Sequence, residues 1–219
     1  MWKTFKNTLL DIFWPKKCIN CGKEGKYLCE DCFALIDILR DSPMRGLKYV
    51  NGVHYATSYQ EKLVKSAIRL YKYNRIKELS ETMASLIIAH FKLSNKENIL
   101  KGGILCAIPL HKSKLKKRGF NQSEEIAKHL STLFRIPFLP DILIKTKKTS
   151  AQMTLNKKER KQNIANCFKI NPKIKKQIVG KKVFLVDDVL TTGTTMEECA
   201  RVLKQNKASE VWGIVVARD

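Results

Sequence analysis

The chain has 219 residues, of which 44% are hydrophobic, and its formal net charge at pH 7 is +22. The apolar fraction is large enough for a hydrophobic core, which excludes an intrinsically disordered chain and allows one medium-sized domain with or without a small module. No apolar run is long enough to span a membrane, and the first 17 residues lack the apolar stretch and cleavage site of a secretory signal. The sequence therefore predicts a cytoplasmic protein.

The positive charge is concentrated in the middle of the chain. Residues 101–182 carry 21 Lys and Arg against 4 Asp and Glu, a net charge of +17, whereas residues 1–100 carry +7 and residues 183–219 carry −2. A basic segment of this kind favours a polyanionic partner, such as nucleic acid or anionic lipid. The alternative is a solvated lysine-rich surface, because 33 of the 42 basic residues are Lys.

Residues 2–14 predict an amphipathic helix that ends at Pro15. Its apolar side consists of Trp2, Phe5, Leu9, Ile12 and Phe13. We expect this side to pack on the rest of the protein. The alternative is peripheral contact with the inner face of the membrane, since Trp and Phe beside Lys suit a lipid surface.

Two cysteine pairs follow, Cys18-x2-Cys21 and Cys29-x2-Cys32. Two such knuckles direct four thiolates at one point and predict a tetrahedral, structural Zn²⁺ site with no open ligand position. An odd total of seven cysteines also fits metal binding in a reducing compartment better than disulfides. We therefore expect residues 1–45 to form an N-terminal helix and zinc module, residues 46–219 to form the main domain, and the other three cysteines (Cys106, Cys167 and Cys199) to be buried core residues.

The next segment predicts a hairpin and two helices. Residues 47–56 have β-rich arms around Asn51-Gly52, a pair favoured in tight turns. Apolar residues at helical spacing then predict one helix around residues 63–71 and a second around residues 76–91. Tyr71 and Tyr73, which lie between these helices in "YKYNR" (71–75), are expected to be packing residues and not base-stacking platforms. The four histidines show no ligand or catalytic pattern.

From residue 104 onward, strands and helices alternate. The predicted elements are a strand at 104–109, a basic loop at 111–119, a helix from Asn121 with Glu124 completing a capping box, a strand at 138–145, a second capping pattern at 155–165, a strand at 181–186, a helix at 195–208 and a strand at 210–217. Apolar strands that alternate with helices are typical of a mainly parallel sheet with helices on both faces. The predicted fold class is α/β.

The stretch "VFLVDDVLTTGTT" (183–195) places two acids at the end of a strand and a Thr-rich turn before a helix. Ligands of α/β sheets bind beyond the carboxyl ends of the strands, and a helix N-terminus suits a phosphate. Asp187 and Asp188 can accept sugar hydroxyls, while Gly193 and the surrounding threonines can hold a phosphate, so the pattern predicts a sugar phosphate ligand. A Walker A lysine and a Rossmann fingerprint are both absent from the sequence.

The same stretch resembles the phosphoribosyl-pyrophosphate (PRPP) loop of type I phosphoribosyltransferases. The resemblance implies that Asp187 and Asp188 hold the ribose hydroxyls and that PRPP binds with Mg²⁺. It also implies that the 5′-phosphate is bound by Val189, Leu190, Thr191, Thr192, Gly193, Thr194 and Thr195. Lys72 and Arg75 correspond to the pyrophosphate loop, and the basic loop corresponds to the mobile loop of these enzymes. A second use of that loop is binding of a nucleic-acid backbone, and a third is plain solvation; its cations are Lys112, Lys114, Lys116, Lys117 and Arg118.

Two longer segments, "CAIPLHKSKLKKRGFNQSEEIAKHL" (106–130) and "KTSAQMTLNKKERKQNIANCF" (148–168), together with the N-terminal cysteines, resemble the ComF family of competence proteins. This resemblance implies a protein of natural transformation that handles incoming single-stranded DNA on the cytoplasmic side, among other components of the uptake machinery. The alternative is a Mg²⁺-dependent phosphoribosyltransferase that transfers the pentose to an unknown nucleophile, in nucleotide metabolism or salvage. Gln152, Arg160 and Asn163 match the family pattern without a role that we can derive.

Overall fold

The computed structural model of the protein describes residues 15–40, 43–148 and 163–219. The predicted helix at 2–14 and nearly all of the predicted capping segment at 155–165 lie outside these residues. Within the three described ranges, no helix is both long and apolar enough to cross a membrane.

The described chain is built around a parallel sheet with helices on both faces. The strands are β1 (Gly52–Ser58), β2 (Gly103–Ala107), β3 (Leu143–Lys145), β4 (Phe168–Ile170), β5 (Lys182–Leu190) and β6 (Glu210–Arg218). The α-helices are α1 (Glu30–Ala34), α2 (Lys62–Tyr73), α3 (Leu79–Leu93), α4 (Lys112–Arg118), α5 (Gln122–Phe134) and α6 (Thr194–Gln205), and 3-10 helices occur at Glu97–Leu100 and Lys175–Ile178.

Four strands form the main sheet in the order β1-β6-β5-β2, and every neighbouring pair is parallel. Strand β5 is internal, because Leu185 lies beside Cys106 of β2 on one side and Gly213 of β6 on the other. A strand with helices on both faces needs apolar side chains on both, as β5 has up to Val186. The predicted α/β class with a mainly parallel sheet is confirmed.

Alternate residues of β5 contribute to two separate hydrophobic cores, since successive strand side chains point to opposite faces. Phe184 and Val186 belong to the core that includes α2, α3 and α5. Val183 and Leu185 belong to the core that includes α6 and the two short strands. The N-terminal cysteine segment also joins the first core, through Leu28 and Ile36.

The predicted hairpin at 47–56 is wrong. Only its second half is a strand, β1, and Val53 forms an isolated antiparallel bridge with Met44. Asn51 lies beside β6 and not in a turn: its amide donates to the Val211 carbonyl at 2.7 Å, and its side-chain oxygen accepts from the Val211 amide at 2.9 Å. The side chain that suggested a turn instead fixes the start of a parallel strand pair.

The predicted strand at 138–145 is interrupted. Phe138 forms a single parallel bridge with Leu105 of β2, and Pro140 follows, which has no amide hydrogen to donate. Asp141 then has a φ of 57°, and the chain re-enters an extended conformation only in β3. Strand β3 pairs antiparallel with β4 in a separate two-stranded ribbon.

The sequence predicts a basic loop at 111–119, and this prediction is wrong as well. The segment forms α4, whose N-cap is His111 and whose last turn is closed by Gly119 at a φ of 84°. Lysine and arginine have good helix propensity, and the cations of the last turn interact favourably with the helix dipole.

Helix α6 lies very close to β6 because residue 213 is a glycine. A Cβ at Gly213 would collide with the sulfur of Met196, in the first turn of α6, and would lie 2.9 Å from Val53 Cγ1. The missing side chain therefore determines how near the N-terminus of α6 comes to the sheet.

Two of the histidines form a buried pair that the sequence pattern did not reveal. His54 is 1% exposed and His90 2% exposed, and His54 Nδ1 lies 3.2 Å from His90 Nε2. His90 Nδ1 donates to the Leu39 carbonyl at 2.6 Å, so Nε2 of a neutral His90 accepts from His54. Burial, followed by the charges of His90 and Lys96, lowers the pKa of His54 to about 4.

This histidine pair predicts an acid-sensitive contribution to stability. A base whose pKa falls on folding stays neutral in the native state, so stability is lost as the pH falls from about 6.5 toward 4. His54→Gln keeps a hydrogen-bond donor without titrating. When the pH is lowered from 7 to 4, we expect the unmodified chain to lose about 3 kcal/mol more free energy of unfolding than this variant does. Urea denaturation at several pH values measures it, with His129→Gln as the control, and a pH-independent difference would contradict it.

Candidate functional site

The two acids at the end of β5 have different partners. The Asp187 side chain accepts a hydrogen bond from Ser123 Oγ at 2.8 Å and another from the Asp188 amide at 2.9 Å. Asp188 forms a 2.7 Å ion pair with Lys72 Nζ, and the Lys72 and Asp188 side chains are only 18% and 9% exposed. One acid is thus connected to the N-terminus of α5 and the other to the last turn of α2.

The electrostatics of this acid pair distinguish its two members. Burial and then the charge of Asp188 raise the pKa of Asp187 to about 6, although Lys72 and the Ser123 hydroxyl act in the opposite direction. Burial lowers the pKa of Lys72, but the charge and hydrogen bond of Asp188 outweigh it and raise the pKa overall. The charged form of Asp187 is therefore disfavoured, and a further hydrogen-bond donor or cation nearby would stabilise it.

The Thr-rich turn leads directly from this acid pair into α6. Gly193 is the N-cap of α6 and has a φ of 74°, a conformation that favours glycine. The hydroxyls of Thr192 and Thr194 lie 2.9 Å apart. Thr191 is exposed, whereas the other three threonines are partly buried. The turn thus places hydroxyls and helix N-terminal amides together, a combination that suits a phosphate.

Val189 and Leu190 play a different part in the same segment. Val189 packs partly buried against one core, and Leu190 is buried in the other. The Leu190 carbonyl accepts from the amide of Asp219 at 2.9 Å. Their side chains hold the turn on the sheet and do not line its polar side.

The structure separates the two predicted pyrophosphate residues. Lys72 lies against Asp188, but Arg75 donates from Nη2 to the Lys117 carbonyl at 2.7 Å. Arg75 also has a φ of 59°, in the left-handed region. It therefore connects the turn after α2 with the last turn of α4.

Helix α4 brings its cations to the same end of the sheet. Lys112, Lys116 and Lys117 are exposed. Desolvation, followed by the charges of Arg118, Lys145 and Lys72, lowers the pKa of Lys114. A cation whose pKa is lowered by three other cations gains from an anion, so this helix forms a basic surface beside the acid pair.

Sequence analysis missed three residues of this region. Ser123 could have been predicted from the sequence, because it lies in the first turn of the helix capped by Asn121. The N-terminus of that helix lies at the carboxyl edge of the sheet, where ligands bind. No motif marks Lys145, the last residue of the strand predicted at 138–145. Burial lowers the pKa of Lys145, while Asp187 is among the charges that raise it. Tyr73 was assigned to packing, but it is 67% exposed. Tyr71 is buried as predicted and donates to the Gln122 carbonyl at 2.8 Å.

The N-terminal cysteines form a second candidate site. The four sulfur atoms of Cys18, Cys21, Cys29 and Cys32 all lie within 4.8 Å of one another, which is compatible with a structural metal site. Burial raises the pKa of Cys18, but hydrogen bonds from backbone amides outweigh it and bring the pKa to about 6. Cys106, Cys167 and Cys199 are buried, as predicted.

Comparison with known proteins agrees with this architecture. Residues 115–219 match the family described as phosphoribosyl transferase domain. Competence protein F of Haemophilus influenzae is 29% identical over 203 residues, which cover 91% of this chain and 84% of that protein. Competence protein ComFC of Bacillus subtilis is 26% identical over 205 residues, which cover 92% of this chain and 78% of that protein.

A further relative is similar over a shorter region. DNA utilization protein YhgH of Escherichia coli is 28% identical over 148 residues, which cover 66% of this chain and 63% of that protein. The aligned part is thus slightly less than two thirds of that relative. The parallel sheet and the matched family show that the chain has a type I phosphoribosyltransferase-like fold. The similarity to competence proteins F and ComFC over more than nine tenths of the chain, together with the four-cysteine cluster, supports the ComF family of competence proteins.

Proposed function

We propose that this protein handles incoming single-stranded DNA on the cytoplasmic side of DNA uptake, together with other uptake components, and that the acid pair of β5 binds PRPP. The names of the relatives, competence protein and DNA utilization protein, support the connection with DNA. The observation that carries the proposal is the placement of the basic helix α4 next to the acid pair. Polyanions of two kinds, a DNA backbone and a diphosphate, both suit this surface.

The DNA part of the proposal rests on the charge of α4. Five of its seven residues are cationic and none is acidic. Lysine and arginine side chains that contact DNA phosphates release the counterions condensed on the DNA. Binding is therefore expected to depend on salt and to show little sequence preference. Lys114 also favours an anion, because a phosphate nearby would offset the desolvation and the neighbouring cations that lower its pKa.

Changing Lys114, Lys116 and Lys117 together to Glu tests this surface. We expect affinity for a labelled oligo-dT strand to fall at least about 10-fold at moderate salt. The negative slope of log affinity against log salt concentration should also become shallower by about 2, as expected for the loss of three phosphate contacts. Filter binding over a salt series measures both quantities.

The matched control is Lys173, Lys175 and Lys176 changed to Glu. These lysines are exposed around the second 3-10 helix, and the change in net charge is identical. If the two triple variants weaken binding equally, net charge alone is responsible and α4 is not the DNA surface.

The PRPP part of the proposal rests on complementary ends of one site. Asp187 and Asp188 supply acceptors for the ribose hydroxyls, and the turn at 191–195 supplies donors for the 5′-phosphate. Carboxylate, hydroxyl and phosphate oxygens are the ligands that Mg²⁺ prefers, and the raised pKa of Asp187 indicates that a nearby cation would be stabilising. Bound Mg²⁺ would supply neutralisation of the diphosphate charge.

Thermal shift with PRPP and Mg²⁺ tests this site. At a ligand concentration 100-fold above Kd, we expect Tm to rise by about 5–10 °C. Asp187→Asn and Asp188→Asn should each remove most of the rise, while Asp141→Asn, an exposed acid elsewhere, should keep it. The rise should also shrink below about pH 6, since Asp187 then becomes protonated. A native chain whose Tm is unaffected by PRPP would contradict the assignment.

A second candidate function is Mg²⁺-dependent transfer of phosphoribose to an unknown nucleophile. The intact acid pair and the cations Lys72 and Lys114 around it favour this candidate, because the pyrophosphate that leaves needs donors. The same samples separate the two functions: a transferase releases pyrophosphate when an acceptor is added, whereas a binding protein retains PRPP unchanged.

We propose Zn²⁺ as the metal of the cysteine cluster. Four thiolates around one point are a complete tetrahedral ligand set for Zn²⁺, and a reducing cytoplasm keeps the thiols available. Because the buried face of this module joins the core with α2 and α3, its loss would expose part of the main domain as well.

Cys21→Ser tests the metal assignment, since Cys21 is the exposed member of the four. We expect the variant to lose bound zinc, measured by elemental analysis, and to melt about 10 °C below the native chain. Cys167→Ala is the control, because it removes a buried thiol outside the cluster and should retain one zinc per chain. Full zinc content in Cys21→Ser would exclude this ligand set.

A further inference from the structure

An exposed aromatic side chain lies at the edge of the acid pair. Tyr73 is the last residue of α2, is 67% exposed and directly follows Lys72, which is paired with Asp188. The guanidinium carbon of Arg118 lies 5.9 Å from the centre of its ring. The two planar groups thus form a pair at the surface, next to the proposed PRPP site.

Arg118 is held in place by the core below it. Its Nη1 donates to Gln122 Oε1 at 2.8 Å, and Gln122 is only 1% exposed. The Gln122 carbonyl in turn accepts from the buried Tyr71 hydroxyl. Since its partner is anchored, Arg118 loses less conformational freedom on binding a ligand than a free surface arginine would.

Arg75 connects the helices that carry this pair. Its bond to the Lys117 carbonyl joins the turn after α2 to the end of α4, the residue before Arg118. Arg75 directly follows the C-cap residue Asn74, and its φ of 59° is the left-handed conformation that commonly ends a helix. The bond to Lys117 thus fixes the turn that follows Tyr73 against the helix that carries Arg118.

The charges around this pair select the ligand. Lys114 is close enough to Arg118, Lys145 and Lys72 to interact with each of them electrostatically, and Lys72 also interacts with Arg118. Proteins that bind single strands combine a cationic surface for the backbone with aromatic and arginine planes on which bases stack. An apolar partner would leave these cations without compensation.

We propose that Tyr73 and Arg118 form a stacking platform for a base of single-stranded DNA at the rim of the Asp187–Asp188 site. This inference rests on the proposed function, in which the protein binds single-stranded DNA. It has a consequence for the site itself, because a strand stacked beside Lys72 covers the approach to the acid pair. DNA and PRPP should therefore compete.

The experiment compares an oligo-dT strand with an abasic strand of equal length and charge, by fluorescence anisotropy. We expect the native chain to prefer oligo-dT by about 10-fold or more, because only that strand can stack. Tyr73→Leu should remove the preference and leave affinity for the abasic strand unchanged. Tyr73→Phe and Tyr73→Trp should retain it, since each keeps a π-face.

The matched control is Tyr59→Leu. Tyr59 also has a cation over its ring, Lys65 at 5.7 Å, but Tyr59 is only partly exposed and lies before α2 begins. This variant should keep the preference for bases. Unligated melting curves and the PRPP shift of the Tyr73 variants check that fold and site are intact.

The outcomes distinguish this inference from the proposed function. Equal affinity of the native chain for the two strands, or an unchanged preference in Tyr73→Leu, overturns the stacking platform while DNA binding stands. Failure to bind either strand overturns DNA handling and the platform together, and leaves the PRPP site to be judged by its own thermal shift.

Discussion

Two neighbouring carboxylates at the end of one internal strand are the constraint around which this protein is organised. Because β5 directs them to opposite faces, each needs its own donor, and the donors come from Ser123 on one element and Lys72 on another. Burial disfavours the charged form of Asp187, and the charge of Asp188 adds to it. Such an arrangement weakens the native state and is typical of a functional site.

The basic and acidic parts of the molecule depend on each other. Helix α4 and Arg118 alone would form an unspecific cationic surface, and the acid pair alone would repel every phosphate. Side by side, they suit the proposed ligand PRPP, which is a sugar at one end and a polyanion at the other. The cysteine module packs on the same core as α2, the helix that carries Lys72.

The central features of the fold and of the candidate site could be predicted from the sequence because they depend on local patterns. The apolar run of β5, the acid pair and the Gly–Thr turn before α6 are local features, and the two cysteine pairs define a cluster by spacing alone. Helix α4 was missed because a lysine-rich stretch has no apolar stripe to reveal its period. The exposure of Tyr73, the approach of Lys145 and the His54–His90 pair depend on contacts between distant segments, which no local pattern encodes.

The glycine at position 213 determines how closely α6 packs against β6. Since the amides at the start of α6 move with the helix, the position of the proposed phosphate site depends on the contact between Gly213 and Met196, on the side of the helix that faces the sheet. A larger side chain at position 213 would therefore displace the start of α6 and is expected to weaken the proposed phosphate site without changing any residue that faces the ligand.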